Sequence, residues 1–352
     1  MAAWSEPGLR IRLALMVALI VVPLITSPAG QAAERVDRAR FVPLRVVILK
    51  VEARLDDGRL HIGTGVTVAP GVVLTNCHVV EHAEAITVSK RAGRWPVVAQ
   101  HAIGRHDLCF LKVPGWRGSP IEFGEDRRPV LHEVAASVGY TGGAELSFTE
   151  GEITGVHAFD NAWLLQTTSA FTSGASGGAL LDSQARLLGI LTFRLPGRDG
   201  HYYAVPAAWV RQDMPVETDW QPVGTPIAER PFWQGERESL PYFMQVPSLE
   251  AQAGWQQLMD LADQWQRSAP ESAEPLWVRG RALARLERRD EAIVSLQAAT
   301  RIDQRFLRAW VDLGSMLRTA GRDDEFRQVL LTLQDLDADL ARELETGKGM
   351  PR

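Results

Sequence analysis

The sequence predicts an all-β double barrel followed by an all-α helical-repeat domain, and three observations carry that expectation. Short apolar β segments broken by turn signals run from residue 44 to residue 205. Six prolines between Pro215 and Pro247 then interrupt any regular pattern. From Leu249 onward the apolar spacing turns helical, and similar residues recur 34 positions apart.

The first group of strands is expected at residues 44–53, 60–69, 72–76, 85–89, 96–102 and 108–113, separated by turn signals at Asp57-Gly58, Pro70-Gly71 and Ala92-Gly93. A second group follows at 133–138, 146–154, 162–168, 179–181, 187–193 and 201–205. Segments this short and evenly spaced suggest two small closed barrels side by side, with a cleft between them.

The stretch Ser173-Gly174-Ala175-Ser176-Gly177-Gly178-Ala179-Leu180 places a serine in a glycine-rich turn before a buried strand. A hydroxyl is a weak nucleophile and needs a base, together with donors for the oxyanion formed when it attacks a carbonyl. Glycines on both sides let the backbone N–H groups of Gly174 and Ser176 converge. The pentapeptide alone also fits a plain turn, or the Gly-x-Ser-x-Gly elbow in which acid and histidine follow the serine. Here the partners come first: Val73-Leu74-Thr75-Asn76-Cys77-His78 ends an apolar run in a histidine, and Asp107 opens the strand Leu108-Cys109-Phe110-Leu111. The order His78, Asp107, Ser176 excludes the elbow arrangement.

Residues 46–210 resemble a trypsin-fold serine peptidase of the bacterial HtrA/DegP-like type. The matching pieces are Gly63-Thr64-Gly65-Val66, Leu74 to Val80 around His78, Asp107 to Val113, Gln166-Thr167 through Gly178, Leu188-Gly189-Ile190 and Tyr203-Ala204-Val205-Pro206. The resemblance implies that Ser176 is the nucleophile, His78 the general base and Asp107 the group that orients the imidazole. It also implies that the N–H groups of Gly174 and Ser176 form the oxyanion hole. Two positions depart from the pattern: Ala175 stands where the family commonly has Asn or Asp, and Thr168 where HtrA-like chains often carry Asp. The resemblance further implies that the base of the substrate pocket falls on Ala170, six residues before the nucleophile, with Thr192, Phe193 and Tyr203 beside it. No acid waits there for a basic side chain, which favours small or apolar residues at the cleavage position. Phe193 and Tyr203 read equally well as barrel core.

Cys77 and Cys109 each neighbour a candidate catalytic residue. They are either a disulfide or two small buried thiols, since a bridge requires Cα atoms within about 7 Å. Two cysteines without clustered ligands make no zinc site, and no metal or cofactor is expected.

The net charge of −5, with 38 basic against 43 acidic residues and no long basic run, argues against nucleic-acid binding. At the N-terminus Arg10 and Arg12 precede the apolar run from Leu13 to Ile25, followed by the small residues Ala29, Ala32 and Ala33. This is the pattern of a secretory signal over residues 1–33, with an uncleaved inner-membrane anchor as the alternative. A periplasmic or secreted location follows, and contact with a membrane only if the segment is retained.

The expected organisation continues with a peptidase domain at 40–212, a Pro-rich linker or strap at 213–248, and a helical domain at 249–346. Trp220 and Trp233 favour a strap packed on another surface. In the helical part Gly280 and Gly314, Leu276 and Trp310, and Leu296 and Leu330 are each 34 apart. With Trp310-x-x-Leu313-Gly314 they resemble tetratricopeptide repeats. Two repeats are fewer than usually stand alone, so they should dock on the β region, pair with another copy, or both. Such repeats imply a protein partner, and no PDZ-like β segment follows the peptidase part. The resulting expectation is an exported serine endopeptidase acting on proteins or peptides. The alternatives are a latent peptidase-fold scaffold that binds through its repeats and an esterase on the same fold.

Overall fold

A computed structural model describes Met1 and residues 38–195 and 201–347, so the expected signal segment lies, apart from Met1, outside the described residues. Residues 38–195 and 201–347 belong to one compact unit.

After a short helix α1 (Arg38–Phe41), the first lobe is built from β1 (Ile48–Leu55), β2 (Leu60–Ala69), β3 (Val72–Thr75), the one-turn helix α2 (Cys77–Val80), β4 (Ala83–Lys90), β5 (Gly93–Pro96), β6 (Ala99–Ile103) and β7 (Leu108–Lys112). The period of two along β1 explains its position. Leu49, Val51, Ala53 and Leu55 face one core beneath this sheet, while Ile48 joins the core between the lobes. The second lobe consists of β8 (Val134–Thr141), β9 (Glu145–Phe159), β10 (Ala162–Thr167), β11 (Ala179–Asp182), β12 (Leu187–Leu195) and β13 (His201–Pro206). These six close into a barrel in the order β10-β13-β12-β11-β8-β9, with neighbours antiparallel.

The first lobe is not the closed barrel that the strand spacing suggested. It is a seven-stranded sheet ordered β5-β4-β1-β2-β3-β7-β6, left open between β5 and β6. The single strand expected at 96–102 is divided into β5 and β6, and Pro96, which has no N–H to donate, ends β5. The free edge of β6 is covered instead by the Pro-rich segment. Gln100 and Gln221 exchange both backbone hydrogen bonds at 2.8 Å.

Helix α3 (Ala207–Gln212) leaves the barrel, and residues 213–241 carry only single 3-10 turns. Regular helix begins before Leu249, at α4 (Tyr242–Ala251), although Pro247 lies inside it. Burial of Phe243, Met244, Val246 and Leu249 outweighs the backbone hydrogen bond that proline removes. Then come α5 (Trp255–Ser268), α6 (Glu274–Arg285), α7 (Arg289–Ile302), α8 (Leu307–Thr319), α9 (Asp323–Leu336) and α10 (Ala338–Thr346), each packed on the next. The two glycines spaced by 34 mark close helix crossings. A Cβ on Gly280 would stand 2.7 Å from Leu296, and one on Gly314 2.6 Å from Leu344.

The helical region shares a core with the β region. One buried cluster runs from Leu164 and Val205 through Trp209, Phe232 and Phe243 to Leu258, Trp265 and the helices beyond. Among the described residues no helix is long and apolar enough to cross a membrane.

Candidate active site

His78 is carried on α2, a single turn whose first two residues are tied to Asp107. Cys77 N–H donates to Asp107 O at 3.3 Å, and the His78 N–H donates to Asp107 Oδ1 at 2.9 Å. Asp107 follows a 3-10 turn at Gly104–His106 and adopts a left-handed backbone conformation, φ 57°, which Asp tolerates better than most side chains. That kink at the head of β7 turns its carboxylate back toward α2. The imidazole Nδ1 lies 2.6 Å from Asp107 Oδ2, with the carboxylate fully buried and the histidine 24% exposed. A disulfide joins Cys77 to Cys109, with Cα atoms 4.8 Å apart, so a covalent link spans the two elements that bear His78 and Asp107.

Ser176 comes from the other lobe, in the turn before β11. Gly174 (φ 93°) and Gly177 (φ 83°) both need the left-handed freedom that glycine alone has cheaply. A Cβ on Gly174 would fall 2.4 Å from Tyr140 O, and one on Gly177 2.1 Å from Thr64 O. The Ala175 N–H is turned inward to Thr172 O, whereas among the described residues neither the Gly174 nor the Ser176 N–H has a partner. Two free amides on one turn, one of them the serine's own, suit a developing negative charge.

Thr64 on β2 holds this turn from the first lobe. Its N–H donates to Ser176 O at 2.8 Å, its hydroxyl donates to Gly174 O at 2.7 Å, and the same hydroxyl accepts from Tyr140 N at 2.8 Å. The Thr64 carbonyl in turn accepts from Thr75 Oγ1 at 2.7 Å. Gly63 beside it is crowded on one side by Val79, next to His78, and on the other by Ser176 O. The histidine turn and the serine turn therefore meet at Gly63 and Thr64.

Of the residues assigned to a substrate pocket, Thr192 and Phe193 lie on β12 and Tyr203 on β13. Tyr203 is 2% exposed and stacked between Phe193 and Phe243, each with centroids 4.9 Å away, and burial pushes its phenol well above the ordinary value. Thr192 is buried, its hydroxyl donating to Ile190 O and accepting from Asn76 Nδ2. Ala170 is half-buried on the loop before Phe171. No group of three or more metal-ligating side chains occurs among the described residues.

Two residues make contacts at this site that no sequence pattern reveals. Asn76 Nδ2 donates to Asp107 O at 2.9 Å and to Thr192 Oγ1 at 3.1 Å, tying the acid to β12. Trp233, which in the sequence favours only a packed strap, donates its indole N–H to Asp107 Oδ2 at 3.2 Å.

Residues 63–190 match the family profile described as "Trypsin-like peptidase domain". The two-lobed β region has the trypsin-like β-barrel fold, followed by a helical C-terminal region. The matched span includes His78, Asp107 and Ser176, but not Thr192, Phe193, Tyr203 or Trp233. Among curated proteins the chain is similar to "Probable periplasmic serine endoprotease DegP-like" of Chlamydia pneumoniae, 28% identical over 155 residues, 41% of this chain and 32% of that protein. It is also similar to "Serine endoprotease DegS" of Salmonella typhimurium, 30% identical over 139 residues, 37% of this chain and 39% of that protein. The chain thus spans about a third of the length of these relatives. Among solved structures, the serine endoprotease from Yersinia pestis aligns with a TM-score of 0.45 and 26% identity, over 50% of this chain and 64% of that one.

Proposed function

We propose that the chain is an exported serine endopeptidase that cleaves proteins or peptides through an acyl-enzyme. One observation carries the reading: the buried Asp107 carboxylate holds His78 at 2.6 Å, on a turn that meets the Ser176 turn at Gly63 and Thr64. In this reading Ser176 Oγ attacks the scissile carbonyl while His78 Nε2 takes its proton. The free N–H groups of Gly174 and Ser176 stabilise the oxyanion, and His78 then passes the proton to the leaving amine. Asp107 stays ionised and keeps the imidazole in the tautomer with Nδ1 protonated. Water enters by the same route to release the acid.

The names of the relatives support the substrate class and a periplasmic location, as does the signal-like segment at residues 1–33. Ala170 at the expected pocket base supports a small or apolar residue at the cleavage position. Residues 40–212 would form the peptidase domain, 213–248 a strap, and 249–346 a repeat module that holds a protein partner. Ser176→Ala and His78→Ala are each expected to lower peptide turnover by several orders of magnitude, while the protein melts as the wild type does. Residual turnover within about tenfold of the wild type in either variant would overturn the assignment.

A further inference from the structure

Asp107 receives one hydrogen bond from a part of the chain well beyond residues 63–190. Trp233 belongs to the Pro-rich segment, and its indole Nε1 lies 3.2 Å from Asp107 Oδ2. The same ring stands edge-on to the His78 imidazole, centroids 5.6 Å apart at 90°, and stacks on Phe193 at 5.6 Å and 17°. Its neighbour Phe232 anchors it, 7% exposed and packed among Phe159, Phe193 and Trp209.

A buried carboxylate is costly unless its lone pairs are satisfied. Oδ1 of Asp107 accepts from the His78 N–H, and Oδ2 accepts from the imidazole and the indole; among the described residues these are the donors to the carboxylate. The nearby hydroxyl on β12, Thr192, is committed to Ile190 O and Asn76, which leaves this place to the indole. An N–H on Oδ2 fixes the rotation of the carboxylate and stabilises its charge. The ring on the imidazole edge limits how His78 can swing.

We propose that Trp233 is a positioning residue of the hydrolytic site, so that the segment following the barrels completes the triad by holding Asp107 and His78. This rests on the endopeptidase reading. Without the indole donor Oδ2 loses one of its two hydrogen bonds, and the carboxylate is freer to rotate out of the orientation that holds the imidazole.

The test measures the second-order rate of Ser176 labelling by a fluorophosphonate across pH, for wild type and Trp233→Phe. A second variant replaces Trp233 with β-(3-benzothienyl)alanine, which keeps the bicyclic shape but has sulfur where the indole has N–H. Both variants are expected to label about tenfold more slowly, and the loss in the benzothienyl variant, which keeps the ring's shape, isolates the hydrogen bond. A Trp233→Phe protein that fails to fold leaves the benzothienyl variant to decide. Rates within twofold of wild type with a superimposable pH profile overturn this inference and leave the endopeptidase reading standing. Faster labelling in either variant also overturns it, by making the ring an obstruction. No labelling of wild type at any pH overturns the endopeptidase reading and this inference with it.

Discussion

Thr64 is the residue through which the first lobe grips the serine turn of the second. Its hydroxyl sits between Gly174 O and Tyr140 N, and its N–H holds Ser176 O. Thr64→Val keeps the shape but leaves the part-buried Gly174 carbonyl and Tyr140 N–H without this partner, at a cost of about 1 kcal/mol. We expect a lower melting temperature and fluorophosphonate labelling slowed about tenfold, measured beside the wild type; unchanged labelling would remove Thr64 from the account. The contrast with the triad explains what could be read from the chain. His78, Asp107 and Ser176 each stand in a local context of apolar run, turn and glycine that neighbouring residues reveal. Thr64 and Trp233 act across 110 and 126 positions, and no local pattern encodes which distant carbonyl or carboxylate they will meet.

At the level of elements, local chemistry placed the strands well. The segment expected at 60–69 is β2 to the residue, and those expected at 162–168 and 187–193 lie within a residue or two of β10 and β12. Closure is a different property. Whether a sheet seals depends on pairing between strands far apart in sequence, and here the edge of β6 is taken by Gln221 from the Pro-rich segment rather than by β5. Proline likewise misled at α4, because propensity is a local term and burial of four side chains against the neighbouring core is not. Gly280 and Gly314, which the sequence offers only as positions 34 apart, each lie at a tight helix crossing where any side chain would collide with a leucine of a neighbouring helix.

Across the whole molecule, the helical region and the barrel are joined by a histidine. His132, just before β8, faces Glu152 on β9 at 3.1 Å and Asp303, just past α7, at 3.2 Å, with Arg305 on Glu152 at 3.2 Å. Burial alone would depress its pKa, but the hydrogen bonds and charges of Asp303 and Glu152 outweigh that and raise it to about 9. A base whose pKa is raised on folding adds stability that is fully present below its ordinary 6.5 and is lost as pH climbs through about 9. Glu152, held down chiefly by its His132 hydrogen bond, and Asp303, held down by the same partner against burial, lose their contribution at the acid end. Asp303→Asn is therefore expected to lower the unfolding free energy by on the order of 1–3 kcal/mol at pH 6 and by little at pH 10. Urea unfolding at both values checks this, and an equal loss at the two would contradict the charged bridge.

The most direct measurement is covalent labelling of the folded protein by a fluorophosphonate, located by peptide mapping, with Ser176→Ala in parallel. The probe reacts rapidly only where hydroxyl, base and oxyanion donors are assembled, and it needs no knowledge of the substrate. A single adduct is expected, on Ser176, absent from the variant. A folded protein that takes no adduct, or one that takes it equally with alanine at position 176, would contradict this expectation.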